Sequence, residues 1–149
     1  MDHKSLIADL YTALDHERGA IAYYSRLAEI APNEDYRRVI LGIRRDEQAH
    51  AITLSRLIMK LSNQPPMIGP SMLPTIRNFR EGVEEAIKDE EKEYEFYGTI
   101  MQKAPWPDVY YTIANIQKDE IYHRELLKTL LDKDKDKDKH KKHKKHHHS

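Results

Sequence analysis

A chain of 149 residues is long enough for one domain with a buried core, and it is hydrophilic, with 34% charged and 39% hydrophobic residues. The absence of cysteine excludes disulfides, thiolate zinc sites, iron–sulfur clusters and an iron centre held by four cysteines. The zero net charge hides an asymmetry, because residues 133–149 carry eight lysines and three aspartates while residues 1–132 carry a net charge of −5.

Apolar residues recur at three- and four-residue steps in four segments, which predicts four helices. The first covers residues 5–30, and the second follows the N-cap Asn33 and runs to about residue 62. Residues 63–74 hold four prolines and a glycine, which predicts a stiff linker. The third helix is expected from about Thr75 to residue 103, and the fourth from Pro107 to about Leu131.

The C-terminal segment, residues 133–149, mixes lysine with aspartate and histidine and contains no apolar residue. It is predicted to be a disordered tail that binds metal ions or acidic surfaces weakly, so that residues 1–132 form the folded domain. Because basic character is confined to this tail, a nucleic-acid partner is not expected.

Export and membrane insertion are also not expected. The N-terminus lacks an apolar signal core behind a basic start, and no apolar run approaches the roughly 20 residues that span a bilayer. A cytoplasmic location without a membrane partner is the resulting prediction.

The chain contains an internal repeat with an offset of 73 residues. A glutamate precedes each copy of the motif Asp-Glu-x-x-His, and the glutamate of the motif follows it by 30 residues in both copies. The fold class is therefore predicted to be all-α, a four-helix bundle of two repeated helical hairpins with a Pro-rich connection. The aligned pairs are Glu17 and Glu90, Asp46 and Asp119, Glu47 and Glu120, and His50 and His123.

The spacing brings these residues to one height in the bundle. In each hairpin the two glutamates lie 14 residues from the turn, roughly 21 Å along the helix. Four carboxylates buried there would cost several kcal/mol each if charged and unpaired, and two divalent cations would neutralise them. Carboxylate and imidazole ligands suit iron or manganese, and this arrangement is typical of ferritin-like di-metal bundles. The predicted ligands are Glu17, Glu47, His50, Glu90, Glu120 and His123.

Four further residues are predicted to support the ligands. Asp46 and Asp119 are placed to accept a hydrogen bond from the second nitrogen of a ligating histidine, or they are ordinary surface acids. Tyr24 and Tyr97 lie two turns beyond Glu17 and Glu90. They are expected to donate hydrogen bonds to bridging carboxylates or to take part in redox chemistry, and otherwise to be core residues with a satisfied hydroxyl.

The chain resembles the rubrerythrin family, and the resemblance rests on the paired Glu-x6-Tyr and Asp-Glu-x-x-His motifs over residues 5–131. It implies two bound irons, reduction of peroxide or oxidation of ferrous iron, and an extra carboxylate on the third helix, for which Glu93 is the candidate. It also implies a long crossover between helices two and three. Twelve linker residues reach roughly 37 Å, which permits this crossover, although a short hairpin is also permitted.

The functional prediction is a di-iron oxidoreductase acting on hydrogen peroxide or O2. Its electron donor would be another protein or the iron itself, because no rubredoxin-like domain is present. The alternatives are a non-catalytic iron or manganese binding or storage protein, and an interaction module in which the metal is a structural staple. A homodimer is expected, including one that exchanges helices through the linker.

Overall fold

The computed structural model describes the backbone of residues 3–147 and the side chains of residues 3–133. Within these ranges the chain forms four α-helices, and no strand occurs. Helix α1 packs chiefly on α2 and α3 chiefly on α4, which confirms the predicted bundle of two hairpins. None of these helices has the length and apolar character of a membrane span. The helices are α1 (Lys4–Glu29), α2 (Glu34–Ser62), α3 (Phe79–Lys103) and α4 (Pro107–His147).

Asparagine caps set the start of two helices. The Asn33 side chain accepts a hydrogen bond of 3.0 Å from the backbone N–H of Tyr36, as expected for the start of α2. The Asn78 side chain accepts one of 2.9 Å from the N–H of Glu81. The expected start of α3 near Thr75 is therefore wrong, because Asn78 in an extended conformation takes the capping position and the helix follows it.

Helix α4 is longer than the sequence analysis expected, since it continues past Leu131 to His147. No glycine or proline follows Leu131, so the sequence contains no strong helix breaker in this segment. The last buried residue is Leu130 among those whose side chains are described. The division into a bundle domain and a separate tail stays a prediction, and the tail histidines lie outside the described side chains.

The direction of the helices is set by contacts between the two hairpins. Tyr97 of α3 contacts Glu17 of α1, whereas Tyr24, two turns after Glu17, contacts Glu90, two turns before Tyr97. Helices α1 and α3 are therefore antiparallel. Since α2 returns antiparallel to α1 after a short turn, α2 and α3 run in the same direction. Residues 63–78 must consequently traverse the length of the bundle.

The linker makes this crossover along α1. Near the start of α1, the backbone N–H of Met67 donates to the Tyr11 hydroxyl at 3.3 Å. Halfway along the helix, Arg18 Nη1 donates to the Gly69 carbonyl at 2.6 Å. Near the far end, Ile76 and Leu27 both pack against Gly82. The linker thus lies over one side of the bundle, along α1.

Two apolar clusters form the core, one on each side of a polar layer. The first contains Leu10, Leu54 and Ile113, and the second contains Leu27, Ile40 and Leu127. Along every helix the predicted metal ligands lie between residues of the first cluster and residues of the second. The bundle therefore buries its polar layer at mid-height, with one apolar cluster on each side of it.

Gly82 of α3 lies close to the side chains of Leu27 and Ile76, and we expect Gly82→Ala to destabilise the protein. A Cβ there would lie 2.6 Å from Leu27 Cδ1 and 2.8 Å from Ile76 Cγ2. Overpacking of this kind costs about 1–3 kcal/mol, which exceeds the gain of up to about 1 kcal/mol in helix propensity. Thermal unfolding measures the change.

Gly42 is the matched control, because a Cβ added there meets nothing within 4 Å. Gly42→Ala is expected to stabilise α2 by about 0.5–1 kcal/mol. Equal stabilisation of both variants would contradict the close packing of Leu27 and Ile76 around Gly82.

Candidate metal centre

Six polar side chains meet in the layer between the two apolar clusters, and they are the six main ligands predicted from the sequence. None of them exposes more than 5% of its surface. Helices α1 and α3 each contribute one glutamate, and α2 and α4 each contribute a glutamate and a histidine one turn later. No lysine or arginine is among them. The residues are Glu17, Glu47, His50, Glu90, Glu120 and His123.

These side chains form two overlapping groups of four, and in each group one potential ligand atom per residue lies within 4.8 Å of the others. His50 and Glu17 belong only to the first group, and His123 and Glu90 belong only to the second. Glu47 and Glu120 belong to both. The geometry therefore suits two neighbouring cations, with Glu47 and Glu120 shared between them.

The polar atoms at the middle of the layer lack hydrogen-bond partners. Buried polar atoms normally find a partner, because an unmatched one costs about 1–3 kcal/mol. A set of orphaned carboxylate oxygens and imidazole nitrogens around one point fits a pair of divalent cations, whose charge of +4 balances four carboxylates. The orphaned atoms in this layer are Glu17 Oε2, Glu47 Oε1, His50 Nδ1, Glu90 Oε2, both Glu120 oxygens and His123 Nδ1.

Each histidine is oriented by an aspartate from the other repeat. His50 Nε2 lies 2.7 Å from Asp119 Oδ2, and His123 Nε2 lies 2.9 Å from Asp46 Oδ2. Because a carboxylate only accepts, Nε2 carries the proton and its N–H donates a hydrogen bond to the aspartate. Nδ1 is then free to bind a cation, and it faces the glutamates in both rings, 3.0 Å from Glu120 Oε1 for His50.

The two tyrosines also reach across the repeat. Tyr24 donates a hydrogen bond of 2.6 Å to Glu90 Oε1, and Tyr97 donates one of 2.6 Å to Glu17 Oε1. Both hydroxyls are buried, and each holds one oxygen of a glutamate that belongs to a single group. Bonds to bridging carboxylates were expected from the sequence, whereas the structure places them on the two unshared glutamates.

Burial and mutual repulsion oppose ionisation of the shared glutamates. Burial raises the pKa of Glu47 well above its ordinary value, and the neighbouring Glu17 carboxylate raises it further. Burial and then the charge of Glu47 do the same to the pKa of Glu120. For Glu17, burial would raise the pKa, but its contacts with His50 and Glu47 outweigh burial and lower it. Without cations, Glu47 and Glu120 therefore hold their protons to higher pH than exposed glutamates do.

The pKa of each histidine is raised, although burial alone would lower it. Burial alone would lower the pKa of His123, but Glu90 and the other carboxylates outweigh it and raise the pKa to about 9. The pKa of His50 is also raised, because Glu120, Glu17 and Glu47 outweigh its burial. Protons and cations thus compete for the same atoms, and binding of a divalent cation would release protons.

Glu93, the predicted seventh ligand, belongs to neither group of possible ligands among the described residues. Its Oε1 lies 2.7 Å from His16 Nδ1, at the edge of the site between α1 and α3. The pairing of His16 with Glu93 was not predicted from the sequence. The assignment of Glu93 as a ligand stays a prediction, and the structure gives this carboxylate another partner.

A cavity of about 820 Å³ leads from the surface to the polar layer. It lies between α1 and α3, and the linker residues Pro70, Ser71 and Met72 form part of its lining. Four of the six buried ligand candidates reach its inner end: Glu17, Glu47, Glu90 and Glu120. The sequence alone did not predict this cavity, because it depends on the path of the crossover.

Comparison with known proteins gives a family match and a sequence relative. The rubrerythrin family model matches residues 9–131, which is most of the chain. The uncharacterized protein YhjR of Bacillus subtilis (strain 168) is 36% identical over 93 residues, which cover 62% of this chain. The matched segment spans 63% of the length of YhjR.

Solved structures with the same fold come from two further organisms. A hypothetical protein from Pyrococcus furiosus superposes with a TM-score of 0.78 at 22% identity, covering 89% of this chain and 91% of the other. A second structure, from Bacillus anthracis str. Ames, is described as a ferritin-like, diiron-carboxylate protein. It superposes with a TM-score of 0.76 at 27% identity, covering 88% of this chain and 99% of the other. Both support the ferritin-like bundle as the architecture that carries the buried layer.

Proposed function

The chain belongs to the rubrerythrin family, and from this membership and the buried carboxylate–histidine layer we propose that it is a di-iron oxidoreductase. Its reaction would reduce hydrogen peroxide or O2 while ferrous iron is oxidised. The observation that carries the proposal is the set of orphaned ligand atoms shared by two overlapping groups of four residues. The diiron-carboxylate description of the Bacillus anthracis structure, at 27% identity, supports iron as the metal.

Some of these residues would bind the metal ions, and others would orient the residues that bind them. Glu17 with His50 would hold one ion, Glu90 with His123 the other, and Glu47 with Glu120 would bridge them. Asp46 and Asp119 hold the imidazole rings with Nδ1 toward the glutamates, where it could bind an ion. Tyr24 and Tyr97 restrain the unshared glutamates. When bound, two ferrous ions supply the two electrons that reduction of a peroxide needs.

Partners and location stay proposals. The chain has no cysteine, so the electrons that return iron to the ferrous state would come from a separate donor or from further ferrous ions. We also propose a homodimer without a nucleic-acid partner, and a cytoplasmic location stays a prediction. Manganese is a chemically suitable alternative to iron for these oxygen and nitrogen ligands.

Anaerobic loading with ferrous iron tests the proposal. We expect about two irons per chain, one for each group of ligands, followed by rapid oxidation when peroxide or O2 is added separately. Stopped-flow absorbance of ferric iron and the loss of peroxide report the reaction. Tight binding of iron that neither peroxide nor O2 oxidises would overturn the proposed enzymatic function and favour a structural metal. Hundreds of irons per assembly would instead favour iron storage.

A further inference from the structure

The cavity between α1 and α3 is much larger than hydrogen peroxide or O2 requires. Its volume is about 820 Å³, whereas a water molecule, of similar size to these oxidants, occupies about 30 Å³. Pockets for organic ligands typically measure about 300–1,000 Å³. Since the cavity ends at Glu17, Glu47, Glu90 and Glu120, a molecule that fills it would reach the proposed iron ligands.

The walls of this cavity are largely apolar and held in place. Ala20 and Ala86 line it on the side of the second apolar cluster and leave room between the helices, whereas Phe96 lines it on the side of the first cluster. The Tyr23 ring, another part of the wall, is fixed because its hydroxyl donates to the Gly82 carbonyl at 2.5 Å. A hydrocarbon group would therefore find a preformed apolar surface beside the polar layer.

The charges around the cavity favour a neutral ligand. Asp15, Asp89 and Glu93 line it together with only two basic side chains, His16 and Lys92. The His16–Glu93 pair is already mutually compensated at 2.7 Å. Asp15 and Asp89 outnumber Lys92, so the charges of the cavity wall disfavour an anionic molecule such as a fatty-acid hydroperoxide.

We propose that this cavity binds a small neutral organic hydroperoxide, with its hydrocarbon group against Ala20, Tyr23 and Ala86 and its peroxide group at the glutamate layer. This inference rests on the proposed function and names its substrate class. In the reaction the O–O bond of ROOH breaks, two ferrous ions give one electron each, and two protons from solvent are taken up. The products are the alcohol ROH, water and two ferric ions.

Gly19 offers a variant that narrows the cavity without disturbing the helix. It lines the cavity from α1, and a Cβ added there meets nothing within 4 Å. Gly42 on α2 also has nothing within 4 Å of an added Cβ, and it does not line the cavity. Gly19→Leu and Gly42→Leu therefore compare the same change in two helix interiors, and only the first fills the cavity.

Kinetics with cumene hydroperoxide and hydrogen peroxide test the inference on the iron-loaded protein. For Gly19→Leu we expect kcat/KM for cumene hydroperoxide, relative to that for hydrogen peroxide, to fall about tenfold or more, as for a filled substrate pocket. Gly42→Leu is expected to keep the wild-type ratio. An unchanged ratio in Gly19→Leu, or an equal fall in both variants, would overturn the proposal.

A binding measurement without turnover complements the kinetics. In the full chain loaded with redox-inert zinc, cumyl alcohol is expected to shift the NMR amide signals of Gly19, Ala20 and Ala86. Gly19→Leu should remove these shifts and Gly42→Leu should retain them. The absence of shifts, or shifts confined to the separate groove lined by Ile52 and Met59, would contradict a ligand in the α1–α3 cavity.

The two proposals fail in distinguishable ways. If wild-type protein consumes hydrogen peroxide but not cumene hydroperoxide, the substrate class is wrong and the di-iron oxidoreductase stands. If it consumes neither peroxide but O2 oxidises its ferrous iron, the substrate class is again wrong and the oxidoreductase stands. If neither peroxide nor O2 oxidises its ferrous iron, both proposals are overturned.

Discussion

Replacement of Glu47 and Glu120 together by alanine is expected to abolish metal binding, from about two ions per chain to none. Both glutamates belong to both groups of ligand atoms, so their loss removes two of four ligands from each group at once. Each group would keep only one carboxylate and one imidazole, from Glu17 and His50 in the first and from Glu90 and His123 in the second. Elemental analysis after anaerobic loading and desalting measures the result.

Single replacements should separate the two groups. Glu17→Ala is expected to leave the second group, and Glu90→Ala the first, so each variant should retain about one tightly bound ion. A matched control removes two exposed carboxylates from α3, with Glu84→Ala and Glu95→Ala in one chain. That control should bind as many ions as wild type. Full metal content in the Glu47 and Glu120 double variant would show that the ligands are other residues.

Removal of bound metal is expected to lower the midpoint of thermal unfolding by roughly 10–20 °C. At a free ion concentration 100 times Kd, each bound ion adds about 2.7 kcal/mol to the free energy of unfolding. Two ions then add about 5 kcal/mol, and a chain of this size shifts by roughly 2–4 °C per kcal/mol. Differential scanning calorimetry with and without a chelator measures the shift.

The double variant at Glu47 and Glu120 also controls the stability experiment. It should show no dependence on added metal, and its metal-free form should be more stable than metal-free wild type. The reason is that two buried carboxyl groups whose ionisation is opposed by burial and by neighbouring carboxylates leave the core. A wild-type midpoint that does not respond to metal would mean that the layer holds protons and not cations.

The convergence of the six main ligand candidates could be predicted because it depends on features local to each hairpin. A repeat of 73 residues and equal distances from each turn bring the glutamates to one height, whichever way the hairpins are joined. The structure accordingly buries all six in one layer. The all-α bundle follows from the same helical periodicity, and the Asn33 cap of α2 was readable from residue type alone.

Features that depend on how the hairpins face each other could not be read from the sequence. Asp46 bonds His123 and not the histidine of its own helix, and Tyr24 bonds Glu90 and not Glu17. Both pairings follow from the antiparallel contacts between the hairpins, which spacing within one helix does not specify. The His16–Glu93 pair and the cavity depend on the same packing and on the course of the linker.

The most direct test of a buried di-metal layer is anomalous diffraction from crystals of the chain loaded anaerobically with ferrous iron. The account predicts two iron peaks per chain, one bound by Glu17 and His50, the other by Glu90 and His123, with Glu47 and Glu120 between them. A centre without iron, in which the glutamates turn away from one another toward solvent, would contradict it.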